Sequence, residues 1–188
     1  MKINANEIKP GMIIEHKNDY WNVLKTQHVK PGKGGAFNQV ELKSVIKGTK
    51  LNERFRSSET VEKAEVDEKE FNFLYIDGDN CHFMDNQTFE QVSVVDNIIG
   101  KNINFLKDGM NVDLLFDGSE ILDIRLPAHV NLKVVETEPG IKGNTATGAT
   151  KPAKVETGYL VQVPLFVAEG NILKIDTRTG EYIERLKS

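Results

Sequence analysis

The 188-residue sequence has few of the features on which several protein classes depend. It contains a single cysteine, Cys81, so an internal disulfide is excluded and a reducing compartment is expected. No apolar run approaches the length that spans a bilayer. Segment 1–7 is polar and already contains an acidic residue, which does not fit the start of a signal peptide. These absences predict a cytoplasmic protein.

Motifs of common active sites and metal centres are also missing. The four histidines are scattered, and none is spaced from Cys, Asp or Glu as metal ligands are. The sequence contains no nucleophile elbow, no zinc-protease motif and no dinucleotide fingerprint after a predicted strand. We therefore expect no catalytic residue, no metal and no cofactor, and hence a protein that is not an enzyme.

Charge is distributed unevenly along the chain, although the net charge is only −4. Residues 1–64 hold 12 Lys and Arg against 7 Asp and Glu, which leaves 12 against 21 for residues 65–188. A basic patch attracts phosphate backbones, whereas an acidic remainder limits indiscriminate binding. The patch comprises Lys25, Lys30, Lys43, Lys47, Lys50, Arg54 and Arg56, together with a lysine in the loop described next. This distribution favours a protein that engages structured RNA at one end.

A glycine-rich loop in the basic third carries the most informative residue, Lys33. Its seven residues are Lys30, Pro31, Gly32, Lys33, Gly34, Gly35 and Ala36. Proline restricts the backbone, and the three glycines can adopt the positive-φ conformations of a tight reversal. We predict a β-hairpin that holds Lys33 out into solvent. An ordinary glycine turn with an incidental lysine is the alternative, and a Walker phosphate loop is excluded by the spacing.

Alternating apolar and polar residues predict a nearly all-β protein with three units, 1–64, 65–127 and 128–188. Segment 59–70 is a linker or a short strand, and 96–106 holds a short helix. Residues 39–44 alternate as in a half-buried strand, and the apolar residues of 71–76 are followed by a hairpin turn at Asp77-Gly78-Asp79-Asn80. Further predicted strands are Tyr20–Val29, Leu51–Phe55, Cys81–Met84, Phe89–Val92, Val112–Phe116, Ile121–Arg125, Val130–Val135, Gly158–Val163, Ile172–Asp176 and Tyr182–Leu186. A long Gly- and Thr-rich loop, 138–150, is expected to be functional or disordered.

A weak internal repeat relates two of these units at an offset of 91 residues. Asp85, Thr88 and Glu90 recur as Asp176, Thr179 and Glu181. Both segments are predicted to be strand–turn–strand at comparable places in their units. Two small barrels of the same OB type would explain the repeat.

Four segments resemble the bacterial translation elongation factor P family. They are the tip Lys30–Phe37, the segment Phe83–Gln91, the segment Lys151–Gly170 and the C-terminal Asp176–Tyr182. Within 151–170 the chain is similar to the family signature at Lys151, Ala153, Gly158, Val161, Val163, Pro164, Val167 and Gly170. The resemblance covers essentially the whole chain in the right order.

This resemblance implies an SH3-like (KOW-like) N-terminal domain followed by two OB-fold domains, three small β-barrels in an L shape. It also implies a monomer that binds the ribosome between the peptidyl-tRNA and exit sites and contacts rRNA. Such factors relieve stalling at consecutive prolines by positioning peptidyl-tRNA, a task that needs no proton transfer by the factor. By the resemblance, the loop 30–36 contacts tRNA, and Lys33 reaches towards the peptidyl-transferase centre.

Further site residues carry over by motif. In family members with lysine at the tip, a modifying enzyme often extends it by β-lysylation, and Lys33 is the matching position. Gly143, Asn144, Thr145 and Ala146 are similar to a loop that approaches mRNA in the exit site, although Asn144 replaces the usual aspartate. Tyr182 and Arg185 match ribosome-contacting positions, and core or rim packing is the alternative for Tyr182.

Two alternatives remain open at this point. A general single-stranded RNA-binding OB protein would show aromatics interleaved with basic residues, but aromatics are only 7% here and residues 65–188 are acidic. An elongation-factor-P-like paralogue shares the C-terminal signature but lacks the Lys-Pro-Gly-Lys-Gly tip that this chain has.

Overall fold

Strands dominate the computed structural model, which describes residues 1–140 and 148–187. The first strands are β1 (Lys2–Asn4), β2 (Ile13–His16), β3 (Asp19–Val29), β4 (Phe37–Ser44), β5 (Lys50–Arg56) and β6 (Thr60–Lys63). Those that follow are β7 (Asp67–Asp77), β8 (Asn80–Asp85), β9 (Gln91–Val95), β10 (Asn111–Asp117) and β11 (Glu120–Arg125). The last are β12 (His129–Thr137), β13 (Thr150–Val155), β14 (Leu160–Pro164), β15 (Ile172–Asp176) and β16 (Tyr182–Leu186). Helix is limited to α1 (Asp96–Ile99) and two short 3₁₀ segments, Ala5–Glu7 and Gly100–Phe105. The predicted all-β class is confirmed.

The chain divides into two compact units. The first comprises Met1–Lys69, Val94–Ile98 and Leu114–Ile124, and the second comprises Glu70–Ser93, Ile99–Asp113 and Arg125–Ser188. The boundaries 1–64, 65–127 and 128–188 expected from the sequence stay a prediction.

The N-terminal sheet belongs to the first unit and has the strand order β1-β6-β2-β3-β4-β5. Alternation explains its core, because every second residue of β4 (Asn38, Val40, Leu42 and Ser44) is buried. Val40 and Leu42 join a cluster formed by Ile3, Ala5, Ile8, Ile14, Trp21, Val23, Phe55 and Val61. The curled sheet therefore closes over one continuous core.

Two further five-stranded sheets complete the fold. The middle sheet has the order β11-β10-β7-β8-β9, and the C-terminal sheet has the order β14-β13-β12-β15-β16. The core of the C-terminal sheet is rich in valine and includes Val130, Leu132, Val134, Ala153, Val155, Val161, Val163, Leu173 and Ile175. β-Branched residues fit such a half-buried pleated surface well.

Most predicted elements are present. Strands β1 and β2 were not predicted, and three further differences concern the middle and C-terminal sheets. Phe89 and Glu90 lie in the turn before β9 rather than in a strand, and Gly158 precedes β14 with a positive φ of 90°. Strand β13 was not predicted because it contains Pro152, and proline is depleted within strands. Its neighbour β12 pairs only with Ala153–Val155, so Pro152 lies beyond the end of that ladder.

Candidate functional site

The predicted hairpin is confirmed, since β3 pairs with β4 up to Val29 and Phe37 and the loop 30–36 joins them. Lys33 lies at the exposed tip, and residues 30–35 are all exposed. Within the described parts of the chain, Lys33 makes no hydrogen bond or ion pair, so its ammonium group is available to a ligand.

The glycines of the loop differ from one another in conformation. All three were expected to be able to adopt a positive φ, and among them only Gly34 does so, at 106°. A Cβ at Gly32 or Gly35 would find no heavy atom within 4 Å. These two glycines are therefore not required by packing inside the chain, and they leave space for close approach of another molecule.

Asn38 ties the base of the hairpin to the N-terminal segment. Its buried side chain donates from Nδ2 to the carbonyl oxygen of Ala5 at 2.8 Å. At the same level the amide of Ser57 donates to the Ala36 carbonyl at 3.0 Å. Hydrogen bonds on both sides thus fix the direction in which the loop leaves the sheet.

The outward face of β3, β4 and β5 carries most of the predicted basic patch. Cross-strand partners share a face, so the registers place their side chains together. The outward rows are Val29–Phe37–Arg56, Gln27–Gln39–Arg54, Lys25–Glu41–Asn52 and Asn22–Lys43–Lys50. We call this surface the basic face. It extends from the base of the Lys33 loop and holds five cations against one carboxylate.

Two of the patch residues lie elsewhere. Lys30 is in the loop itself, and Lys47 lies in the turn after β4, where its Nζ is 3.9 Å from Asp19 Oδ2. The sequence therefore predicted the composition of the patch, but only the strand register shows which cations share a surface.

Aromatic and ionic contacts order part of the basic face. The Arg54 guanidinium lies over the Phe37 ring, 4.1 Å from its centroid, and its Nε is 3.5 Å from Gln39 Oε1. The Lys50 ammonium is 3.4 Å from Glu41 Oε1. A guanidinium over a ring still has N–H donors that can bind phosphate oxygens. Sequence reasoning missed the part played by Phe37, because the pairing depends on the register of β4 with β5.

An ion cluster lies on the other side of the same sheet. Glu53 Oε2 is 2.8 Å from Lys17 Nζ and 3.1 Å from His16 Nε2. The hydrogen bond from Lys17 makes the largest contribution, followed by that from His16, and together they hold the pKa of Glu53 below its usual value. The cluster fixes the β2–β3 turn, where Lys17 and Asn18 both have positive φ.

The C-terminal candidates Tyr182 and Arg185 have different environments. Tyr182 is half-buried and packs against the C-terminal core, which is the packing alternative considered for it. Arg185 is exposed, and its guanidinium lies 4.7 Å from the centroid of the Phe166 ring. No spacing rule pairs Phe166 with Arg185, so sequence reasoning missed the aromatic partner. The candidates Gly143, Asn144, Thr145 and Ala146 lie outside the described residues.

The signature segment 151–170 has a structural explanation. Lys151 is buried, and its ammonium group donates to the Glu138 carbonyl oxygen. Alternate residues of β13 and β14 fill the core, and Gly158 and Gly170 have φ of 90° and 86°. Positive φ strongly favours glycine. These residues shape the domain rather than forming a reactive centre.

The described residues contain neither a cluster of metal ligands nor a helix that could span a membrane. Among residues 1–140 and 148–187, no group of three or more His, Cys, Asp and Glu could hold a metal ion. No helix in those ranges is long and apolar enough to cross a membrane.

Family models match three consecutive parts of the chain. The model "Elongation factor P (EF-P) KOW-like domain" matches residues 4–61, "Elongation factor P (EF-P) OB domain" matches 66–124, and "Elongation factor P, C-terminal" matches 130–185. Elongation factor P of Pelagibacter ubique is 49% identical over 99% of this chain and 100% of its own length. That of Moorella thermoacetica is 50% identical over 97% and 99%.

A solved structure shows the same fold at greater distance. Eukaryotic translation initiation factor 5A from Methanococcus jannaschii matches with a TM-score of 0.56 and 24% identity, over 68% of this chain and 92% of the other. The predicted KOW-like and OB folds are thereby confirmed. Because identity to the curated relatives reaches about half over nearly the full length, the chain belongs to the elongation factor P family of translation elongation factors.

Proposed function

We propose that this protein binds the ribosome between the peptidyl-tRNA and exit sites and relieves stalling at consecutive prolines. The observation that supports this best is the exposed Lys33 at the tip of a hairpin rooted beside the basic face. In this proposal Lys33 reaches towards the peptidyl-transferase centre, while the loop 30–36 contacts the end of the peptidyl-tRNA. The protein acts in the cytoplasm, as a monomer with the three domains 1–64, 65–127 and 128–188.

Positioning, rather than proton transfer, is the proposed mechanism. Proline is a constrained secondary amine, so a Pro-Pro junction reaches attack geometry with difficulty. Holding the donor tRNA in place lowers the entropic part of the barrier, which can account for large rate effects. The phosphates of the tRNA would contact Lys25, Arg54 and Arg56 on the basic face, since phosphate contacts fix orientation. The protein is therefore not an enzyme with an active site of its own.

Lys33 is also the proposed site of modification by a dedicated enzyme, with β-lysylation as the expected chemistry. An exposed side chain flanked by glycines is accessible to such an enzyme. The added amines would lengthen the reach and add charge-assisted donors for the tRNA backbone.

The C-terminal candidates supply a second contact in the proposal. Arg185, held over Phe166, would meet rRNA or mRNA near the exit site. Tyr182 would support the strand that carries Arg185, and Gly143, Asn144, Thr145 and Ala146 would approach the mRNA.

Reconstituted translation of a reporter with three consecutive prolines tests the proposal. Wild-type protein purified from its own cells should restore full-length product, and Lys33→Ala should not. Lys47→Ala, which removes an exposed lysine outside the basic face, is the matched control and should behave as wild type. Mass spectrometry of the peptide that contains Lys33 reports its modification. The proposal would be contradicted if wild-type protein with a modified Lys33 did not relieve the stall.

A further inference from the structure

Two turns of the second unit share one hydrogen-bond pattern. In the first, Asp85 Oδ1 accepts from the amides of Gln87 and Thr88 at 2.7 and 3.1 Å. In the second, Asp176 Oδ1 accepts from the amides of Arg178 and Thr179 at 2.8 and 3.2 Å. Each loop is closed by the amide of its aspartate, which donates to the glutamate five residues later, at 2.8 and 2.9 Å. The weak sequence repeat is therefore a repeat of structure.

The fifth residue of the turn is where the two loops differ. In the C-terminal turn it is Gly180, with φ of 76°, buried beneath the Tyr159 hydroxyl. In the other turn it is Phe89, with φ of 62°. For a bulky residue such a φ is an outlier, because the left-handed conformation brings its Cβ against the backbone. The same backbone shape thus has its natural residue in one copy and a strained one in the other.

Packing inside the chain does not explain why phenylalanine is retained at this strained position. The Phe89 side chain is 69% exposed, so most of the ring lies outside any core. Exposed apolar residues are common, but a strained backbone conformation without compensating contacts in the fold tends to mark a functional position. We propose that Phe89 is an aromatic anchor by which this protein docks onto a basic protein surface of the ribosome. The inference rests on the proposed ribosome binding.

Charge favours a protein partner over RNA at this turn. The segment 70–93 contains five carboxylates and neither lysine nor arginine. Three of these carboxylates lie at the turn. Asp85 and Glu90 are its end residues, and Glu70 is close because Asn86 Nδ2 donates to Glu70 Oε1 at 2.8 Å. A phosphate backbone would be repelled here, whereas a basic surface with an apolar pocket would match both the charge and the ring. Aromatic residues are also typical anchors of protein interfaces.

Substitutions at position 89 separate the docking role from a structural one. Phe89→Gly should weaken binding to purified ribosomes about tenfold, as loss of an interface anchor does, without lowering the melting temperature. Phe89→Tyr should retain binding, because the ring is kept. Gln87→Ala, in the same turn, is the control and should bind as wild type. Unchanged ribosome affinity for Phe89→Gly, or a large drop in its melting temperature, would overturn the inference.

A photo-crosslinking phenylalanine analogue at position 89 tests the nature of the partner. On purified ribosomes, crosslinks to a lysine- and arginine-rich ribosomal protein are expected. Crosslinks to RNA alone, or none, would contradict the proposed partner. Wild-type protein is assayed in parallel on the polyproline reporter. If wild type relieves the stall and Phe89→Gly does so equally at limiting concentration, only the docking inference fails. If wild type itself gives no relief, the proposed function fails.

Discussion

The buried glycine of the C-terminal turn supports a quantitative prediction. Gly180 has a positive φ, and an added Cβ would overlap the Tyr159 hydroxyl and lie 3.2 Å from Cζ of the same ring. Tyr159 cannot move without loss, because its hydroxyl donates to the Gly180 carbonyl at 3.0 Å and its ring meets Phe105 edge-on at 5.1 Å. Alanine at position 180 therefore strains the backbone and displaces a tyrosine that has two specific contacts.

Three contributions set the size of the effect. A non-glycine residue in the left-handed conformation, one lost hydrogen bond and one disturbed aromatic pair each contribute about 1 kcal/mol. We expect Gly180→Ala to lower the free energy of unfolding by about 3 kcal/mol. Phe89→Ala is the matched comparison, because that position already has a non-glycine residue at positive φ and its side chain is exposed. It should change stability by less than about 0.5 kcal/mol.

Urea titration with two local probes measures both variants. Hydrogen exchange of peptides from residues 128–187 reports the C-terminal sheet, and fluorescence of the sole tryptophan, Trp21, reports the N-terminal core. Gly180→Ala should shift the exchange midpoint and leave the Trp21 transition in place. If Gly180→Ala lowers the free energy of unfolding by less than about 1 kcal/mol, the argument that Tyr159 is held rigidly over the turn is refuted.

Three further predictions concern the N-terminal domain. Asn38→Ala should lower the free energy of thermal unfolding by about 1 kcal/mol, because the Ala5 carbonyl loses one of its two donors and keeps only the Ile8 amide. An unchanged melting temperature would contradict this role. Glu53→Gln should be less stable than wild type at pH 7, and the difference should vanish in acid titrations as the pH falls through the depressed folded pKa of Glu53. The pKa of the Glu53 carboxyl is lowered on folding, so its charge stabilises the folded state above the ordinary pKa. This stabilisation is lost as the pH falls through the pKa in the folded state. A stability difference that persists in acid would contradict this assignment. Arg54→Ala should reduce the slope of log ribosome affinity against log salt by about 0.7 to 0.9, one phosphate contact, whereas Lys47→Ala should leave the slope unchanged; equal slopes for both variants would place Arg54 outside the interface.

Local signals in the sequence were sufficient for most of the strands and for the hairpin with Lys33 at its tip. Period-two alternation marks β4, and the pair Asp77-Gly78 marks the turn between β7 and β8. Strand β13 escaped because Pro152 argues locally against a strand, although Lys151, Ala153 and Val155 alternate correctly towards the core. There the tertiary demand to bury alternate residues outweighs the local preference.

Features that depend on register or on distant pairing could not be predicted. The basic face needs the alignment of β3, β4 and β5, and the contact of Arg185 with Phe166 joins residues without any helical or strand periodicity between them. The repeat at offset 91 predicted equivalent turns, and the shared hydrogen bonds confirm them. It did not predict that Phe89 has the same left-handed conformation as Gly180, because the sequence does not specify backbone φ at a non-glycine residue.

Single-turnover peptide-bond formation from a peptidyl-prolyl-tRNA to an incoming prolyl-tRNA tests the central proposal most directly. The positioning account predicts that the modified wild-type protein accelerates this step and that Lys33→Ala loses most of the acceleration. With a donor and acceptor that react readily, such as phenylalanine, neither protein should change the rate. Equal acceleration of the proline pair by wild type and Lys33→Ala would contradict the account.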